Sequence, residues 1–132
     1  MSETIFDKII RGDIPSHKVY EDERVVAFLD VHPQWPGHTL VVPKVGVDHI
    51  WDMEDDEYMY LMAVVKKLGR HIKDVLGAPR VGVAVEGFGV PHVHVHLVPL
   101  ESGEDLKRHQ DMDGEPDHAR LAEMAEKLRF GN

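Results

Sequence analysis

Pro91-His92-Val93-His94-Val95-His96-Leu97-Val98-Pro99 is the stretch whose reading decides the fold. Three histidines alternate with valines, and an apolar pair and a proline close the run. Alternation at period 2, with β-branched residues between, reads as a strand. Successive strand side chains leave opposite faces, so His92, His94 and His96 share one face, with neighbouring imidazoles about 7 Å apart. Val93, Val95 and Leu97 point the other way, into a core. A single histidine on a strand is usually solvated or packed and needs no function. Three in register are different, because imidazole has mediocre strand preference and neighbouring rings repel when protonated. Clustered titratable groups mark functional sites. Two chemistries fit the triplet: metal ligation, and acid–base or nucleophilic work on an anionic group.

Composition narrows the field. The chain has 132 residues and is 42% apolar, enough for one compact domain. Its 24 acidic and 15 basic residues give a net charge of −9. That balance opposes binding to nucleic-acid backbones, which needs a basic footprint. With no cysteine, disulfides and thiolate zinc sites are excluded. No run approaches the roughly eighteen apolar residues of a membrane span. Met1-Ser2-Glu3-Thr4 has no basic, apolar signal pattern, so a soluble cytoplasmic protein is the simplest expectation.

From the N-terminus, Thr4 to Arg11 reads as a short helix, capped by Thr4 and carrying Ile5, Phe6, Ile9 and Ile10 as its stripe. Gly12 to Ser16 breaks it. Lys18–Tyr20 is a short strand and Arg24–Asp30 a nearly continuous apolar one. Asp30 ends that run either as a turn former or as a functional carboxylate. Val31–Gly37 is a loop, and His38–Pro43 a strand whose first residue could face a site. Acidic residues from Asp52 to Glu57 start a helix that runs to about Leu76, with Leu61, Val64, Val65, Leu68, Ile72 and Val75 buried. Gly77-Ala78-Pro79 stops it. Arg80–Glu86 is a strand, and Gly87-Phe88-Gly89-Val90 leads into the histidines. Glu101–Pro116 reads as a mobile polar segment and Asp117–Phe130 as a final helix. The fold class is α+β: a five-stranded antiparallel meander with one long central helix, a short N-terminal helix and a C-terminal helix. His17, His32, His71, His109 and His118 show no partner pattern and are assigned to surface or packing roles.

His92 to Val98 resembles the His-φ-His-φ-His-φ-φ signature of the histidine triad (HIT) superfamily, where φ is apolar. Ile5–Ile10 with Ile14-Pro15 resembles that family's N-terminal segment. Val26–Asp30 and Pro36–Lys44 resemble its two central strands. Spacing agrees from Thr4 to about Asp74 and from Arg80 to Pro99, and more weakly past Leu100. The resemblance implies a single HIT domain over residues 1–132, with its core over about 4–100 and an extension over about 101–132.

It also implies a nucleotide hydrolase or transferase acting at the α-phosphate of nucleoside phosphoramidates, aminoacyl-adenylates or dinucleoside polyphosphates. The family's nucleophile falls on His94, which would form a nucleotidyl-histidine that water hydrolyses. Neutral imidazole is a competent nucleophile for that chemistry. His92, His96 and the earlier His38 would donate to phosphate oxygens, and backbone N–H groups near Gly89 and Phe88 could do the same. Asp30 matches the acidic residue that accepts from the ribose hydroxyls. Ile5, Phe6, Ile9, Ile14, Phe28 and Val31 match the apolar positions around the base, although core packing alone explains such residues equally well. The implied partners are a nucleotide, purine nucleoside phosphates favoured, and a second copy in a homodimer built on the helix from Asp52 to Leu76, where Met59 and Met62 adjoin Tyr58 and Tyr60. Neither nucleic acid nor membrane is implied.

Three departures from the family pattern matter. Thr4 and Asp7 stand where many members carry the Cys-x-x-Cys of a structural zinc site, so no cofactor is expected and His49 loses a ligand's role. The loop before the triad is short, and no asparagine stands among Val83, Ala84 and Val85. Phe88 replaces a glutamine four residues before His92. Two polar contacts to the leaving group go with them, which narrows the substrate range or slows turnover. Two other classes stay open: a histidine metal site completed by His38 or His49, and a non-catalytic nucleotide sensor. No carboxylate lies within the histidine strand to serve the first as a hydrolytic base.

Overall fold

The computed structural model describes residues 3–107 and 110–131, so His109 lies outside the described residues. Strand β2 (Val25–Leu29) and strand β3 (Thr39–Pro43) are buried along their whole length, as strands covered on both faces must be. They pair antiparallel, Val25 opposite Pro43 and Leu29 opposite Thr39. With β1 (Lys18–Glu21), β4 (Arg80–Ala84) and β5 (Val95–Leu100) they form one five-stranded sheet in the order β1-β2-β3-β5-β4. Every pairing is antiparallel, so the five-stranded antiparallel α+β fold is the observed architecture, with β4 placed at the edge beyond β5.

Alternation along β2 and β3 divides the interior in two. Val25, Ala27, Leu29 and Val41 face helix α2 (Asp55–Leu76) and helix α3 (His118–Leu128). The large core there takes Leu61, Val64, Val65, Leu68 and Ile72 from α2, five of the six expected, while Val75 is only partly buried. Val93, Val95 and Leu97 enter this core too. On the opposite face Val26, Phe28, Leu40 and Val42 meet Phe6 and Ile9 of helix α1 (Ile5–Arg11). Thr4 and Asp7 close a reciprocal capping box on α1, and Gly12 ends it in the left-handed region at φ 86°. Acidic Asp55, Asp56 and Glu57 occupy the first turn of α2, where they complement its dipole.

Two expectations change. The histidine strand is not continuous from Pro91 to Pro99: His92 and His94 precede β5, and only His96 lies in it. Pro91 cannot donate to a ladder, the His92 N–H turns back to the Val90 carbonyl, and the Val93 N–H bonds the Val47 carbonyl of a loop instead of β3. Between Glu101 and Pro116, a 3₁₀ turn spans Gly103–Lys107, and the buried Asp105 carboxylate accepts the Glu101 and Ser102 N–H groups. His17 and His118 find each other across the fold, ring nitrogens 2.9 Å apart. His71 lies 3.0 Å from the Leu128 carbonyl, so it packs as assigned.

Candidate active site

Four histidines gather where β3, β5 and the approach to β5 meet the α1 face of the sheet. Leu40 stands opposite His96 across the β3–β5 pair, and His38 sits just ahead of β3. His38, His92 and His94 are buried. The rings do not form the evenly spaced row of an ideal strand. His94 and His96 have centroids 4.9 Å apart, and His38 and His96 5.1 Å. His94 folds back so that its Nδ1 lies 2.8 Å from the His92 carbonyl, which closes the spacing below the strand value.

Backbone N–H groups only donate and carbonyls only accept, so fixed partners set the ring tautomers. The Gln34 N–H donates to His38 Nδ1 at 3.0 Å. Burial, against the pull of Asp30 and helped by His96 and His94, lowers the His38 pKa to about 4, so its ring is neutral at pH 7. Its proton is therefore on Nε2, which donates to His96 Nδ1 at 2.9 Å. Burial first and then His94 lower the His96 pKa too, and its remaining proton sits on Nε2. That buried Nε2 has no hydrogen-bond partner among the described residues. His94 donates from Nδ1 to the His92 carbonyl, which turns its Nε2 away from that bond. His92 donates from Nε2 to the Pro43 carbonyl at 2.8 Å. The cluster thus presents one candidate nucleophilic nitrogen and one unspent donor side by side.

An apolar shelf adjoins them. The Phe6 ring meets His94 edge-on at 5.0 Å, His92 at 5.9 Å and Phe28 at 5.7 Å. Ile9 and Ile14 pack in the same cluster. Ile5 stands half exposed outside it, and Val31 packs instead against the α2–α3 core. Phe88 is 93% exposed, and a Cβ at Gly89 would meet nothing within 4 Å, so the glycine-rich connection stands open toward solvent. Asp30 Oδ2 lies 3.7 Å from His38 Nε2, which puts that carboxylate at the edge of the histidine cluster.

Several participants carry no sequence signal. The Gln34 N–H, the Pro43 carbonyl and the Gln110 side chain, bonded to Asp30 at 2.8 Å, reach the site only through tertiary folding. Asp7, 3.7 Å from His92 Nδ1, was visible in the sequence only as a residue at one of the absent zinc cysteines. Metal fits unevenly. Glu86, His94 and His96 offer ligand atoms within 4.8 Å of one another, as do Asp30, His38 and His96. In the second set the two rings are already bonded to each other. At the positions of the family's structural zinc, Thr4 and Asp7 bond each other, and His49 is exposed beside Asp48.

Comparison with known proteins points to one family. The HIT domain family matches residues 11–103. An uncharacterized HIT-like protein of Methanocaldococcus jannaschii is 44% identical over 105 residues, which is 76% of this chain and 81% of that protein. The adenosine 5'-monophosphoramidase of Saccharomyces cerevisiae is 35% identical over 96 residues, 72% of this chain and 61% of the yeast protein. A Hit-like protein involved in cell-cycle regulation from Bartonella henselae has a crystal structure that matches with a TM-score of 0.82 at 33% identity, over 96% of this chain and 95% of that one. On the extent of the family match and of these likenesses, the chain belongs to the histidine triad (HIT) domain family.

Proposed function

We propose that this protein is a hydrolase that cleaves nucleotides at the α-phosphate through a nucleotidyl-histidine on His94, with nucleoside phosphoramidates as the favoured substrates and purine bases preferred. The observation that carries the proposal is the hydrogen bond from His94 Nδ1 to the His92 carbonyl. It holds the Nε2 lone pair ready for attack, and the same carbonyl offsets the positive charge that the ring acquires in the N–P adduct. The S. cerevisiae relative, named a monophosphoramidase, supports the choice of substrate class.

In the first step His94 Nε2 forms the bond to phosphorus as the bond to the leaving amine breaks, and the amine takes a proton from solvent. His96 Nε2–H, with no partner among the described residues, donates to a phosphoryl oxygen. His38 holds His96 in that tautomer, so the donor is preorganised where charge develops. Water then attacks phosphorus, releases the nucleoside monophosphate and its own surplus proton, and restores neutral His94. Phe6, Ile9, Ile14 and Phe28 form the shelf for the base, and Asp30 accepts from the ribose hydroxyls. An apolar shelf discriminates bases weakly. No cofactor enters this reading. The acidic, cysteine-free composition agrees with a cytoplasmic setting, and none of the described helices is long and apolar enough to cross a membrane.

Replacing His94 with asparagine tests the proposal. Turnover of a nucleoside phosphoramidate should fall by at least about a thousandfold, while adenosine monophosphate still binds. Wild-type protein quenched in alkaline detergent should carry label from a labelled substrate, stable in alkali, released by acid and absent from the variant. A His94→Asn protein that turns over normally would end the proposal. The grouping of Glu86, His94 and His96 favours a second reading, metal binding. It predicts metal in protein purified without added zinc, and equal loss of that metal on removing either histidine.

A further inference from the structure

Asp30 is not a free carboxylate. Its Oδ1 accepts the His32 backbone N–H at 2.9 Å, and its Oδ2 accepts the Gln110 side-chain amide at 2.8 Å. The same amide nitrogen reaches the His32 carbonyl at 2.7 Å, so both of its protons are spent on one loop. The Asp30 side chain is left only 12% exposed. Gln110 lies 80 residues from Asp30 along the chain. Asp111 turns back to accept the Gly114 N–H, and Asp111, Gly114 and Asp117 border a small cleft with Val31, His32 and Pro33.

A carboxylate that grips a ribose must receive two hydroxyl protons on oxygens that neighbour each other. In this structure an amide nitrogen donates to the carboxylate oxygen that faces His38. Asp30 is too covered to take both hydroxyls while the amide stays. We propose that Gln110 is an internal stand-in for the ribose, and that a ribonucleotide binds by displacing its amide from Asp30. This inference rests on the reading of Asp30 as the ribose acceptor given above.

Two consequences follow from the exchange. The free protein keeps its buried carboxylate paired, which an unpartnered Asp30 would lack. Apparent affinity for a ribonucleotide is lowered by the fraction of molecules in which the amide holds Asp30. A nucleotide without the two hydroxyls has no atom to place there and leaves Gln110 where it is. Gln110 therefore tunes affinity for ribose alone, and not for the base or the phosphate.

The test is calorimetric binding of adenosine monophosphate and its 2',3'-dideoxy counterpart to wild type, Gln110→Ala and Gln110→Glu. Glutamate keeps the reach of glutamine but cannot donate to a carboxylate. Gln110 lies outside every helix and strand, and equal far-ultraviolet spectra and urea midpoints confirm folded variants. Both variants should bind adenosine monophosphate about tenfold more tightly, with the dideoxy compound unchanged. Unchanged or weaker adenosine monophosphate binding would overturn the inference, the weaker case meaning that the amide helps to hold the ribose. Equal tightening of both ligands would also overturn it, tracing the effect to access. Asp30→Ala separates this from the underlying reading. If that variant binds adenosine monophosphate as wild type does, Asp30 is not the ribose acceptor. If it binds weakly while Gln110→Ala shows no gain, only the stand-in role is lost.

Discussion

His38 shows how burial of one ring shapes both the site and the stability of the protein. Burial, against the pull of Asp30, holds its pKa near 4, whereas an unfolded histidine titrates at 6.5. As pH falls, the unfolded chain takes up this proton first. Stability is therefore complete above pH 6.5 and declines by about 3 kcal/mol on the way to pH 4. His96, shifted in the same direction, adds to the decline. Urea unfolding followed between pH 7.5 and 4.5 should show the loss, and His38→Gln should flatten it. A wild-type midpoint that does not move with pH would refute the assignment of neutral rings. Asp30 supplies the other residue-scale prediction. Asp30→Ala should weaken ribonucleotide binding by about 1.5–3 kcal/mol, as for hydrogen bonds to a charged acceptor, and spare dideoxy compounds. Equal losses for both would make Asp30 a turn residue only.

Helix α1 and the turn before β3 are the elements that set the site's shape. The Thr4–Asp7 capping box fixes the start of α1, and α1 carries Phe6 against His94. Thr4→Ala should cost about 1 kcal/mol of stability and loosen nucleotide binding in parallel. Intact binding with lowered stability would show that the shelf does not depend on the cap. Gly37 is more exacting. Its φ of 97° suits glycine, and an added Cβ would sit 2.7 Å from Leu76 Cδ1 and 3.1 Å from Pro99. Gly37→Ala should therefore lower stability by about 2–4 kcal/mol and disturb the adjacent His38. A thermal midpoint equal to wild type would show that the turn can relax.

At the scale of the whole molecule, β4 is an edge of the sheet, and its Val83 is 53% exposed. Met59 on α2 is 68% exposed. Unpaired edges and exposed large apolar side chains are surfaces that a second copy can cover. A two-fold homodimer through α2 and β4 is proposed on that ground. Light scattering at micromolar concentration should give twice the chain mass, and Val83→Lys should reduce it to one. A monomeric wild type would remove the proposal.

The sequence by itself determined whatever depends on period and on local chemistry. Apolar runs placed β2 and β3, the valines alternating with histidines placed the run into β5, the helical stripe from Leu61 to Ile72 placed α2, and Thr4 and Gly12 bounded α1. The His-φ-His-φ-His spacing was enough to single out His92, His94 and His96, because each valine between them had a core to enter. Only the tertiary structure decided how those histidines work. The partners that set each tautomer are the Gln34 N–H, the Pro43 carbonyl and the paired ring of His38, 58 residues from His96. Gln110 reaches Asp30 from 80 residues away. Such contacts leave no trace in period or composition, because a backbone carbonyl or a loop amide is the same group at every position until folding brings it beside a ring or a carboxylate.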